Sequence, residues 1–186
     1  MIKKMMLLAV SAAAVVAFAV PATASAEWTK EGEPLTENEH VTFSGPANFQ
    51  IPGTAGAQAE IHATLNLIAG TTTAEVVSFE DTNCEGTLAF AGLSCTGEAR
   101  NLPWIAHVSG ETIQITNIDL LTRYYAGSHG GPVVRESVLK GNIIATPDNR
   151  EAIGSVTLSG EGTTANGAPA TVSGKLGASP AGVFGF

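Results

Sequence analysis

Charge is scarce in this 186-residue chain: only 14% of its residues are Asp, Glu, Lys or Arg, with nine basic against 17 acidic. So few cations cannot assemble a basic face for nucleic acid. Aromatics make up only 6%. Two tryptophans and two tyrosines are too few for the paired aromatic girdles of a membrane β-barrel. Two cysteines exclude a disulfide-dense miniprotein and a four-thiolate zinc module. Catalytic punctuation is missing as well. There is no Gly-x-Ser-x-Gly elbow, phosphate loop, dinucleotide fingerprint or His-Glu-x-x-His pair. Disorder is excluded from the other side, because 44% of the residues are hydrophobic.

What is present begins with the pattern of an export signal. Lys3 and Lys4 precede an uncharged apolar run from Met5 to Val20, then Pro21 and the small-residue site Ala24-Ser25-Ala26. Residues 1–26 are therefore expected to be removed. The apolar run is shorter than the roughly 20 residues of a membrane-spanning helix, and no later run approaches that length. The mature chain would start at Glu27, with seven basic against 17 acidic residues and all 21 glycines. Such a protein is expected outside the cytoplasm: extracellular, at the cell surface or periplasmic. Residues 27–39 carry Glu27, Glu31, Glu33, Glu37 and Glu39 around Pro34 and read as an acidic, solvated arm. Residues 40–186 read as a single domain.

That domain has the period of a pleated sheet. Val41 and Phe43 alternate with polar neighbours, as do Ile61, Ala63, Leu65 and Leu67, and then Ile113 and Ile115. Residues 73–79, 133–145, 155–159 and 170–176 continue the pattern. Turn signals separate them at Pro52-Gly53, Ala69-Gly70, Ser109-Gly110 and Asn166-Gly167. No mature segment holds a helical repeat over three turns. The expected fold is all-β, an antiparallel sandwich or barrel with little or no helix. Its clearest hairpin joins 155–159 to 170–174 through a long loop containing Asn166-Gly167.

Few residues are candidates for chemistry. In an exported chain, Cys84 and Cys95 are expected to form a disulfide, worth about 3 kcal/mol for a loop of that size. Asp81, Asn83 and Glu85, followed by Gly86, match the opening of a calcium loop. The closing acid is missing, since that position is Gly92, so an acidic turn without metal is expected. Ser128-His129-Gly130-Gly131-Pro132 reads as a turn rather than an oxyanion site. His40, His62, His107 and His129 stand apart, and His62 and His107 are expected on solvent-facing strand positions. Pro103 should mark a strand entrance or edge. Trp104 behind it is expected to pack in the core; the alternative is an apolar ligand or interface contact, for which Trp104, Phe79 and Phe90 are the candidates. No cofactor is expected.

Phe43-Ser-Gly-Pro46, the alternating strand that follows, Cys84 to Cys95 and Leu102-Pro103-Trp104 stand behind the export signal. Together they resemble small exported bacterial proteins of the type called protein activator of alkane oxidation. The resemblance spans about residues 40–120. It implies an extracellular, non-enzymatic role at surfaces or interfaces, associated with growth on insoluble hydrocarbon, and it carries over no catalytic residues. The expected function is accordingly that of a secreted, non-enzymatic β-rich protein at the cell surface or a hydrophobic interface, such as a hydrocarbon-associated activator or emulsifier. The alternative is an extracellular module that binds a small apolar ligand. An exposed apolar patch would favour the first, and an enclosed pocket beside Trp104, Phe79 or Phe90 the second.

Overall fold

Alternating side chains build twelve strands and, among the described residues, no helix. The computed structural model describes residues 27–53, 55–127 and 131–186. The expected export signal and Ser128-His129-Gly130 lie outside these residues. In chain order the strands are β1 (Thr29–Lys30), β2 (Glu33–Pro34), β3 (Glu39–Ile51), β4 (Ala55–Leu67), β5 (Thr73–Leu88), β6 (Ser94–Ala99), β7 (Trp104–Ser109), β8 (Thr112–Tyr125), β9 (Val133–Pro147), β10 (Ser155–Thr164), β11 (Pro169–Ser179) and β12 (Phe184–Gly185).

From β3 to β11 the chain meanders, each strand antiparallel to its neighbours, until β11 pairs back onto β3 with Val172 opposite Phe49 and Ala178 opposite Phe43. β6 and β7 share one position. β6 lies along the later half of β8, and β7 along its start. The result is a closed eight-stranded antiparallel barrel. The expectation of an all-β fold holds, and the barrel is the form it takes.

Inward positions on β3 and β11 are apolar. On β3 they are Val41, Phe43, Ala47 and Phe49; on β11 they are Ala170, Val172, Leu176 and Ala178. Outward positions between them are mostly polar and exposed. A membrane-spanning barrel turns its apolar side chains the other way, toward lipid. Gly45-Pro46 sits in the middle of β3, where turn residues are not expected. A Cβ on Gly45 would lie 2.4 Å from the Lys175 carbonyl oxygen, and its φ is +151°. Glycine there lets β3 bend against β11 and helps the sheet curl shut.

One end of the barrel is plugged. β1, β2 and β12 form a small sheet beneath it, which brings Trp28, Leu35 and Phe184 into the core together with Ile153. Trp28 donates its indole N–H to the Thr73 carbonyl at 2.9 Å and meets the Phe186 ring edge-on at 5.6 Å. The segment read as a solvated arm therefore packs as a cap. Its glutamates are mostly exposed, while its two large apolar residues turn inward. The β10–β11 hairpin also differs from expectation. Its strands are longer and its turn shorter, only residues 165–168, with Gly167 at φ +80°.

Candidate functional site

Inside the barrel lies a cavity of about 60 Å³. Its walls are entirely apolar and include Phe43, Ile61, Phe79, Trp104, Ile115 and Leu158. An apolar cavity of about 150 Å³ stays dry and takes up benzene or xenon. This one is smaller and of the same character.

Two of the three aromatics singled out in the sequence meet here. Phe79 from β5 and Trp104 from β7 pack with ring centroids 5.7 Å apart. Trp104 is buried, and its indole N–H donates to the Arg100 carbonyl at 2.8 Å, so no polar atom of the indole is left seeking a partner in the cavity. Phe90 stands elsewhere. It lies in the β5–β6 turn at the unplugged end, 4.5 Å from the Tyr124 ring, in a cluster with Ala57, Ala59, Cys84 and Cys95. Burial pushes the Tyr124 phenol up to about 12.

The wall between β5 and β6 is a seam. Registered pairing covers Thr73–Val76 against β7 and only Glu85 against Ser94 on β6. The Cys84–Cys95 disulfide ties the upper part of this seam, with its Cα atoms 4.9 Å apart. Lower down, the Asp81 carboxylate accepts the Gly97 N–H at 2.6 Å. Asp81 faces the same side as Ile61, its partner across β4. Asn83 and Glu85 are exposed on the outer side, and Asn83 occupies a kink at φ +52°. The segment expected as an acidic turn is thus strand, and these three oxygen-bearing residues do not converge. Among the described residues no group of three or more His, Cys, Asp or Glu could hold a metal ion. His40 and His62 are exposed and His107 half-buried, each on a separate strand.

Outside the same seam, the crossing from β6 to β7 is pinned by buried Asp119. Lys140 Nζ lies 3.2 Å and Arg100 Nε 3.4 Å from its carboxylate, and Asn101 Nδ2 donates to it at 3.3 Å. This cluster lies on the outer face of β8 and holds the wall behind Trp104.

At the unplugged end a broad groove of about 610 Å³ opens above the barrel. Phe90, Arg135, Ser137, Thr164 and Asn166 contribute to its lining. The Arg135 guanidinium lies over the Phe90 ring at 5.6 Å. No motif marks Arg135 in the sequence; the available signal is its place in the alternation of β9, in register with Tyr124. No family model, curated protein or solved structure matches the chain.

Proposed function

We propose that the mature barrel is an exported, non-enzymatic module that binds a small apolar ligand in its interior. The observation that carries this reading is the wholly apolar cavity beside Phe79 and Trp104. An interior of this kind excludes water and rewards any hydrocarbon group that fills it, at roughly 25 cal/mol per Å² removed from solvent. The disulfide agrees with an oxidising compartment.

The test is a titration of residues 27–186 with benzene, followed through methyl resonances of Ile61, Ile115 and Leu158. Saturable shifts confined to these residues are expected. A145L, which fills the cavity from β9, should abolish them while leaving the fold intact. Shifts that are absent, or unchanged in A145L, would refute the reading.

Action at a hydrophobic interface is a second reading. It is supported by Leu88, Val133 and Val134, which stand 59%, 48% and 50% exposed at the ends of β5 and β9 around the open end. Replacing all three with serine should reduce the fall in hexadecane–water interfacial tension caused by the protein; an unchanged curve would dismiss this reading.

A further inference from the structure

We propose that the open end recognises the anionic head of a medium-chain carboxylate, with Arg135 as the head-group residue and the alkyl chain directed down the barrel axis. This inference rests on the apolar-ligand reading and names the ligand class for it.

Three spaces lie in series. The outer groove shares Ile51, Ser137, Val138 and Thr164 with a neck of about 20 Å³. The neck shares Phe49 with the apolar cavity. Polarity falls along this path. The Arg135 guanidinium stands at the top, where Glu136, paired with Arg123, also borders the groove. Next come the side chains of Thr122, Tyr124, Ser137 and Thr164, which line the neck. Below Phe49 the lining carries no polar side chain. That gradient matches a molecule charged at one end and hydrocarbon at the other. Arg135 and Leu139 are four residues apart on β9, about 13 Å along the strand; Leu139 lines the neck opposite Leu120 of the cavity wall, so a medium-length chain anchored at Arg135 reaches the level where the cavity begins.

The charge pattern singles out Arg135. The mature chain has seven basic residues. Lys30, Arg100, Arg123, Lys140 and Arg150 each have a carboxylate partner. Lys175 is on the outer wall, exposed on β11. Arg135 has no carboxylate within ion-pair distance among the described residues. Glu136 beside it is engaged by Arg123 at 3.0 Å. A guanidinium set over an aromatic ring keeps its in-plane N–H donors for a carboxylate, which it can grip in two-pronged fashion.

The test compares decanoate, decan-1-ol and decyltrimethylammonium, all below micelle-forming concentration, on residues 27–186 and on R135Q. Decanoate should bind roughly fivefold more tightly than decanol, the scale of an exposed ion pair. The cationic amphiphile should bind more weakly than either, and the preference should shrink in high salt. R135Q should erase the decanoate preference and leave decanol binding unchanged. Its melting temperature should match the parent's, because the residue is exposed. Equal affinity for decanoate and decanol, or a preference that survives R135Q, would overturn the head-group assignment. If benzene binds inside while charge makes no difference, only this assignment fails. If neither benzene nor any amphiphile binds, the apolar-ligand reading fails and takes it along.

Discussion

At the plugged end of the barrel, Trp28, Leu35, Ile153 and Phe184 are all 7% exposed or less; Trp28 and Leu35 come from the start of the described residues, Ile153 from the β9–β10 connection and Phe184 from β12. Toward the open end the inward positions hold Ala47, Ala57, Ala59, Gly86 and the Cys84–Cys95 bridge instead. Above them stand hydroxyl-bearing side chains and Arg135. One set of strands thus carries two kinds of end. Large side chains recruited over long sequence distances close the first. The second uses small residues and a covalent tie, and it leaves polar groups facing an open groove. Where the interior is filled to native density, stability is gained and no room remains for a ligand. Binding is therefore expected in the unfilled middle and at the open end, with the plug supplying much of the stability that keeps the barrel closed.

The largest effect expected is at the plug. W28A removes a buried indole and one of the donors to the Thr73 carbonyl, which keeps the Ile68 N–H at 3.2 Å; a loss of about 3–5 kcal/mol in denaturant unfolding is expected. A loss under about 1 kcal/mol would break the contrast between the ends. The paired substitution C84A/C95A should cost less, about 3 kcal/mol for a bridge between residues 11 apart in sequence. Its effect on hydrogen exchange should concentrate in β5 and β6, sharpening the view of the seam as the tied part of the wall. Uniform loosening of the whole barrel would argue against a local tie.

The smallest effect concerns Tyr124. Its phenol is raised from 10.0 to about 12 by burial, so the unfolded chain gives up this proton first as pH rises. The contribution is intact below pH about 10 and declines between about 10 and about 12. Melting temperatures measured across that window should fall more steeply for the parent than for Y124F. Parallel curves would show that the ring is open to solvent at the mouth.

Much of the barrel is legible in the sequence, because period-two burial is a local signal. Val41 and Phe43, Ile61 to Leu67, and the β10–β11 hairpin all carry it. Closure is not local. Pairing of Val172 with Phe49 joins residues far apart in the chain, and the same alternation would serve a sandwich. Gly45-Pro46 reads as a break but is a bend inside β3, explained only by the nearby backbone of β11. The cap is hidden by its own glutamates, which mask Trp28 and Leu35. β6 is obscured by Gly97 and Glu98, which give it little apolar alternation. At the site, Phe79 and Trp104 are readable as apolar residues of a β pattern. Their meeting depends on the bulged register of β5 against β4. Arg135 has no local signature, since its distinction lies in the carboxylates that the fold places beside five of the other cations and in its place at the groove.

The most direct measurement is a crystal structure of residues 27–186 under xenon pressure. A xenon atom inside the barrel, against Phe79 and Trp104, is the expected result. Xenon found only on the outer surface, with the interior filled by repacked side chains or ordered water, would contradict an apolar binding cavity.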